Sequence, residues 1–314
     1  MLQSFLTVFE QMFRILILLS VGFTIRKLKL LPEGAERAMS RLITLLFLPA
    51  IMLHTNLVEC RLDSLAEYSN LVLYGLGFCL LSMGLGYALS GRFARGDNYL
   101  KGVFRYAFSF PNTGAVGTPL VLAMFGTAGL FRYTLFLFAT TVLTYSWGVM
   151  QLQPSGERQG LWETVRKVFN PTFIGMVIGM ILGVLGAKQW LPPVVIDTVG
   201  SLGNCYVPVS LLLTGYTIGS YPIAQILGSR RVYIYTALRL LVIPCAFLLV
   251  LRLIHAPLEA SIMTALTYAC PCGMNVVVFP ASYGQDCRPG ARMLLVSSVL
   301  AIFTAPLIYA LAVG

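Results

Sequence analysis

Two short segments decide the fold of this chain: Phe108–Gly114, which reads FSFPNTG, and Ala269–Asn275, which reads ACPCGMN. Each lies in the middle of a long apolar stretch and combines a proline with a glycine and an asparagine. Proline has no backbone N–H and its ring clashes with the preceding helical turn, so it ends or kinks a helix. Each segment therefore predicts a helix that is broken halfway along its length.

The composition of the whole chain is typical of a protein embedded in a lipid bilayer. Of the 314 residues, 57% are hydrophobic and 11% are charged, and the mean hydropathy is +0.81. A soluble chain carries roughly 25% charged residues and could not bury so much apolar surface. We therefore predict an all-α polytopic membrane protein with ten spans of about 20 residues each. The apolar stretches fall at about 6–25, 38–56, 67–90, 99–126, 129–150, 171–187, 194–218, 231–253, 258–284 and 290–312.

The second half of the chain repeats landmarks of the first half at a nearly constant spacing of 158 to 160 residues. A unit of five spans that is repeated once must be inverted in the membrane, because five is odd. Inverted repeats with helices broken at corresponding positions are typical of secondary transporters. We expect repeats at 1–150 and 171–314, joined by a short cytoplasmic loop at 151–170. The paired landmarks are Leu31-Pro32 with Leu191-Pro192, Pro49 with Pro208, Pro111 with Pro271, and Phe125-Gly126 with Tyr283-Gly284.

The basic residues predict the orientation of the spans. Sixteen lie in or beside the loops that follow odd-numbered spans, including Arg158, Arg166 and Lys167, and four lie on the other side. Cytoplasmic loops carry the excess of Lys and Arg, so both termini should face away from the cytoplasm, in a bacterial-type inner membrane. The net charge of +10 is spread between spans instead of forming one patch, which argues against binding to nucleic acid.

The two breaks should meet near the bilayer centre, where each second half-helix presents its free N–H groups and partial positive charge. Asn112, Thr113 and Asn275 lie at these N-termini, where they can cap the helices, bind a ligand, or do both. The fourth, fifth, eighth and ninth spans contain no Asp or Glu apart from Glu259 at a helix end. This suits an anionic substrate and argues against cation exchange on buried carboxylates.

Other polar residues within the spans leave alternatives open. Glu10 and Arg14 are spaced to pair with each other or to attract a substrate. His54 is expected to be a hydrogen-bonded structural residue or a titrating group. Arg239 either adds positive charge to a cavity or reaches a lipid headgroup. No metal site, cofactor motif or enzyme signature is recognised, and the seven cysteines are expected to be packing residues.

At its breaks the chain resembles the auxin efflux carrier family. The resemblance covers nearly the whole chain, including the second span and the short loop of bacterial-type members. Cys272 and Ser282 depart from the plant members of the family. The residues that carry the resemblance are Ser40-Arg41-Leu42, Pro49, His54, Pro111-Asn112-Thr113, Gly117, Pro119-Leu120, Met124, Gly126, Pro271, Gly273, Phe279, Ala281 and Tyr283.

This resemblance implies a fold similar to that of sodium–bile acid symporters. Spans 1, 2, 6 and 7 would form a scaffold, and the other spans would form a unit that moves in an elevator-type mechanism within a homodimer. The implied substrate is a small carboxylate, either an auxin-like monocarboxylate or a dicarboxylate. The implied contacts to it are Pro111, Asn112, Thr113, Tyr145, Pro271, Cys272, Gly273 and Asn275. Two alternatives remain at this stage: a sodium- or proton-coupled symporter, and a membrane receptor that binds a small ligand without transporting it.

Overall fold

A computed structural model describes residues 2–153, 168–220 and 230–314, which fold into helices without any β-strand in those ranges. Residues 154–167, with most of the predicted connecting loop and its three basic residues, lie outside the described ranges. The helices are α1 Leu2–Lys27, α2 Ala35–Glu59, α3 Leu62–Tyr68, α4 Asn70–Ala94, α5 Asn98–Ser109, α6 Thr113–Gly148, α7 Pro171–Val184, α8 Pro193–Gly219, α9 Arg230–Leu253, α10 Leu258–Tyr268, α11 Asn275–Ser282 and α12 Arg288–Val313.

Six of these helices are long and apolar enough to cross a membrane: α2, α4, α6, α8, α9 and α12. The α7 helix is apolar but shorter. A helix rises 1.5 Å per residue, so about 20 residues cross the hydrocarbon core. The prediction of an all-helical membrane protein is therefore confirmed.

Prolines shape these helices by widening the turn that precedes them. Three of the four π-helical turns in the described ranges, at Ile43–Phe47, Thr113–Gly117 and Leu238–Val242, each end two residues before a proline. The fourth, Thr144–Gly148, has no proline at that position. In the first three turns the residue just before the proline donates its N–H to the carbonyl five residues back. A wider turn separates the proline ring from the carbonyl that it would otherwise strike.

One group of helices packs through close backbone contact. The most extensive pairings in the described ranges join α1 with α8 and α2 with α7. At Gly175, Gly179 and Gly183 of α7, an added Cβ atom would lie only 2.5 to 2.7 Å from backbone oxygens of α2. These three glycines, the glycine stripe of α7, therefore allow the backbones of α2 and α7 to pack in close contact.

A second group of helices holds the two breaks. The α4 helix packs against α5 and α6, and α12 packs against α10 and α9. The chain leaves helical geometry between Ser109 and Thr113 and again between Tyr268 and Asn275. Further along, Gly126 has a φ of 62° and bends α6, and Gly284 has a φ of 67° just after α11. These are values that only glycine adopts readily.

Candidate functional site

The two broken helices cross each other at their breaks. The Asn112 N–H donates to the Pro271 carbonyl at 2.8 Å, and the Gly273 N–H donates to the Phe110 carbonyl at 3.0 Å. The two bonds run in opposite directions, as in one rung of an antiparallel ladder. Each break therefore satisfies backbone groups of the other, which a membrane interior requires.

Asn112 caps the first half-helix and still has a hydrogen-bond donor to spare. Its Oδ1 accepts from the Ala115 N–H at 3.2 Å. The side chain is only 6% exposed, and its Nδ2 has no partner among the described residues. The N–H groups of Thr113 and Gly114 at the helix start also find no acceptor there. The predicted cap is confirmed, and a cluster of unsatisfied donors surrounds it.

Asn275 begins the second half-helix and is fixed by the other broken helix. Its Nδ2 donates to the Tyr106 hydroxyl at 2.8 Å. Tyr106 belongs to α5 and is 1% exposed. Because the asparagine donates to this hydroxyl, the phenolic proton of Tyr106 remains for another acceptor. The sequence did not reveal Tyr106, whose partner lies 169 residues away.

Cys272 and Gly273 take part in the crossing through their backbone. The Cys272 side chain is fully buried, and its N–H donates to the Ser297 hydroxyl at 3.1 Å. An added Cβ at Gly273 would lie 3.1 Å from the Phe110 carbonyl, which explains why a glycine stands where the two backbones approach. The Cys272 thiol is thus enclosed by protein in this structure.

Two tyrosines lie beside the first half-helix. Tyr145 is half-buried in α6, and its phenol lies near those of Tyr106 and Tyr206. The Tyr206 hydroxyl, on α8, donates to the Gly114 carbonyl. Tyr206 therefore reaches the crossing from the helix group that holds α1, α2 and α7. No local pattern in the sequence pointed to it, because its partner is 92 residues away.

The helices that precede the two breaks are α5 and α10, and side-chain donors bind the carbonyls at their C-terminal ends. The Ser82 hydroxyl donates to the last two carbonyls of α5, at 3.0 and 3.1 Å. The Tyr235 hydroxyl donates to the Ala107 carbonyl at 2.9 Å. At the end of α10, Arg239 Nη1 donates to the Tyr268 carbonyl at 3.3 Å. Arg239 is 0% exposed, so the alternative in which it reaches a lipid headgroup is wrong.

Three other polar residues named from the sequence lie apart from the crossing. Glu10 and Arg14 are both exposed and do not form the ion pair considered for them. His54 packs on Gly200, where an added Cβ would lie 2.9 Å from its Nε2. Its buried Nδ1 has no partner among the described residues, so the expected structural hydrogen bond is absent at that nitrogen.

Glu259 is the one acidic residue expected in the fourth, fifth, eighth and ninth spans, and an ion pair at a helix end neutralises its charge. Glu259 lies in the first turn of α10 and forms an ion pair with Arg132. Within the described ranges, no group of three or more His, Cys, Asp or Glu side chains is arranged to hold a metal ion. The electrostatics of the crossing are therefore set by helix ends, hydroxyls, amides and Arg239.

Comparison with known proteins places the chain in a family. A family model described as a membrane transport protein matches residues 7–309. An uncharacterized transporter of Methanothermobacter thermautotrophicus is 24% identical over 307 residues, which cover 95% of this chain and 96% of that protein. An uncharacterized transporter of Methanocaldococcus jannaschii is 23% identical over 301 residues, which cover 93% and 95%. The resemblance seen in the sequence is confirmed: the chain belongs to this family of membrane transport proteins, the family of the auxin efflux carriers.

Proposed function

We propose that this protein is a secondary carrier of a small organic anion, with a carboxylate as the group that it recognises. The observation that carries the proposal is the pair of half-helix starts at the crossing, where Asn112 Nδ2 and nearby N–H groups lack acceptors. Buried donors without acceptors cost free energy, and a carboxylate oxygen would satisfy them. The positive ends of two helices favour the same ligand.

The architecture that we propose is ten spans in two inverted repeats, at 1–150 and 171–314. Spans 4 and 9 correspond to the two broken helices. The exchange of backbone bonds between the breaks supports this, since each half donates one N–H to the other. Positive φ values at the corresponding glycines Gly126 and Gly284 support it further. The packing of α1 on α8 and of α2 on α7 also supports it. If the two repeats were exchanged, each of these helix pairs would take the place of the other.

In this proposal α1, α2, α7 and α8 form the scaffold of an elevator, and the remaining spans carry the substrate. Within the described ranges, two hydrogen bonds join the groups: Tyr206 with the Gly114 carbonyl, and Thr127 with Glu59 Oε1 at 2.6 Å. Both would break and re-form as the transport unit moves. We further propose a homodimer in a cytoplasmic membrane, with both termini on the non-cytoplasmic side.

Within the site, the amides of Asn112 and Asn275 would orient the carboxylate. The backbone N–H groups of Thr113 and Gly114 would donate to its oxygens. The half-buried Tyr145 would line the pocket for the remainder of the substrate. Cys272 would shape the crossing through its backbone, since its thiol is enclosed.

Flux into proteoliposomes tests the proposal. Vesicles containing the purified protein receive labelled succinate, malate, benzoate or indole-3-acetate under an imposed electrical, sodium or proton gradient. We expect at least one carboxylate to be carried, and Asn112→Ala to abolish its flux while the protein still folds. Both the removed donor and the removed cap contribute to that loss.

The matched control is Asn70→Ala, at the start of α4 and away from the crossing, which should leave flux unchanged. Wild-type flux in Asn112→Ala would contradict the proposed site. Saturable binding of a carboxylate without any flux would instead favour a receptor.

A further inference from the structure

Tyr206 binds a carbonyl that the first half-helix cannot satisfy by itself. The Thr118 N–H donates to the Thr113 carbonyl five residues back, as in a π-helical turn. In the same register the Gly114 carbonyl would accept from Pro119, which has no N–H. The Tyr206 hydroxyl donates to this carbonyl instead. The bond therefore joins α8 of the proposed scaffold to the helix start of the proposed transport unit.

The matching bond cannot form on the second half-helix. Tyr206 lies two residues before Pro208. The counterpart of that proline in the first of the proposed repeats is Pro49, and the residue two positions before it is Phe47. The second half-helix also contains a proline, Pro280, which leaves a preceding carbonyl without a backbone donor. Phe47 has no hydroxyl with which to bind that carbonyl.

The packing between the two groups of helices is also unequal. In the described ranges α1 packs on α12, and α2 packs on α6. The pairs that correspond to these after an exchange of repeats, α7 with α6 and α8 with α12, pack less extensively. In an inverted-repeat carrier, exchanging the conformations of the repeats gives the state that faces the other side of the membrane. The structure therefore corresponds to one end state of the proposed elevator.

We propose that Tyr206 biases the empty carrier towards the end state in this structure. In the opposite state the Tyr206 hydroxyl leaves the Gly114 carbonyl, and Phe47 approaches the second half-helix without a donor. One hydrogen bond is thus lost and no equivalent bond replaces it. Tyr206 is a positioning residue, which acts on the equilibrium between the two states through Gly114. This inference rests on the proposed function, because it needs the alternating states of a carrier.

Distances between spin labels measure the populations of the two states without a substrate. One label is attached through Lys188→Cys on the scaffold and the other through Ala128→Cys on the transport unit, at two exposed positions. The full chain is studied in liposomes by double electron–electron resonance, and the two end states give two distances. In every protein compared, serine replaces the three native cysteines that are not buried, namely Cys205, Cys245 and Cys287.

We expect Tyr206→Phe to lower the ratio of this state to the opposite state by roughly twofold to tenfold, the effect of one hydrogen bond on an equilibrium. Phe47→Tyr should also lower the ratio, because the added hydroxyl supplies the matching bond in the opposite state. The two changes together should lower it furthest. If Tyr206 only supported the fold, the populations would not respond to Phe47→Tyr.

Tyr216→Phe is the matched control. Tyr216 lies on the same helix as Tyr206, and its hydroxyl accepts from Arg26 Nη1 at 3.0 Å, within the proposed scaffold. Its loss should leave the ratio of the two states unchanged. An unchanged ratio in Tyr206→Phe or in Phe47→Tyr overturns the inference. A single distance that is the same in every variant overturns it as well.

Flux of labelled carboxylates separates this inference from the proposed function. Absence of flux for every carboxylate contradicts the proposed function, and the distance populations still decide the role of Tyr206. Carboxylate flux in wild type, together with unchanged populations in both variants, contradicts the role of Tyr206 alone.

Discussion

At the scale of single residues, Asn112 caps a half-helix and has a second, proposed role in binding the substrate. Its Oδ1 caps the half-helix by accepting from the Ala115 N–H, and its Nδ2 is left without a partner. Aspartate caps helices as well as asparagine does, but it has no amide donor and carries a negative charge. A single substitution therefore distinguishes the structural role of Asn112 from its proposed binding role.

We expect Asn112→Asp to keep the melting temperature near that of wild type and to abolish carboxylate flux. The cap survives, while the donor is replaced by a group that repels an anion. Asn112→Ala, which lacks the cap, should lower the unfolding free energy by about 1 kcal/mol. Flux in Asn112→Asp equal to that of wild type would contradict a role for the Asn112 amide in binding the substrate.

The sequence located the residues that break the helices, but not the residues of other helices that form hydrogen bonds with the breaks. Asn112, Thr113 and Asn275 were predictable because a proline in an apolar stretch marks where a helix restarts. Tyr106 and Tyr206 were not, because their hydrogen bonds join residues 169 and 92 positions apart. The burial of Arg239 follows from the packing of α9 against α12 and the end of α10, which no local pattern shows.

At the scale of helices, the glycine stripe of α7 sets how closely it approaches α2. A Cβ at residue 179 would lie 2.6 Å from the Leu53 carbonyl oxygen, well inside contact distance. The backbone of α2 cannot move away without shifting the whole helix. This makes α7 sensitive to the smallest possible side-chain addition.

We expect Gly179→Ala to lower the unfolding free energy by about 1–3 kcal/mol, as overpacking does. Thermal unfolding of the purified protein measures it. Gly77→Ala is the matched control, since nothing lies within 4 Å of a Cβ there. That change should be neutral or stabilising by up to about 1 kcal/mol, because alanine favours helix more than glycine does. Equal melting temperatures for the two variants would show that the α2–α7 contact can relax.

Helix positions and the two breaks were predictable, whereas the π-helical turns were not. The predicted stretch at 231–253 agrees with α9 at Arg230–Leu253, because hydropathy and flanking charges mark both ends. The π-helical turn Leu238–Val242 was not foreseen. Pro244 signals a disturbance, but the choice between a kink and a wider turn depends on the neighbouring helices.

At the scale of the whole molecule, the proposed orientation assigns each connection to one side of the membrane. Sixteen basic residues against four favour the cytoplasm for the connections after odd-numbered spans. The connection at Arg95–Gly96 should then face the cytoplasm, and the one at His255 should face away from it.

Truncated fusions measure this directly. Alkaline phosphatase fused after His255 should be active, because it folds only outside the cytoplasm, and green fluorescent protein at that position should be dark. After Gly96 the two readouts should reverse. The opposite pattern at both positions would invert the proposed orientation, and the same pattern at both would contradict the number of spans between them.

The spacing of landmarks indicated a duplicated architecture, but the sequence did not show how the two halves bind each other. The positions of proline and glycine are local features of the sequence, so they are visible when its first half is aligned with its second half. The bonds between the breaks depend on which carbonyl faces which N–H once both halves have packed.

Those bonds also have a consequence for biosynthesis. The Asn112 N–H is satisfied by the Pro271 carbonyl, which is synthesised 159 residues later. At roughly 5–20 residues per second, the ribosome needs about 8 to 30 s to supply that partner. During this interval the first break stands in the bilayer with its polar groups unmatched. Until translation is nearly complete, the nascent half is therefore a substrate that membrane chaperones and proteases can recognise.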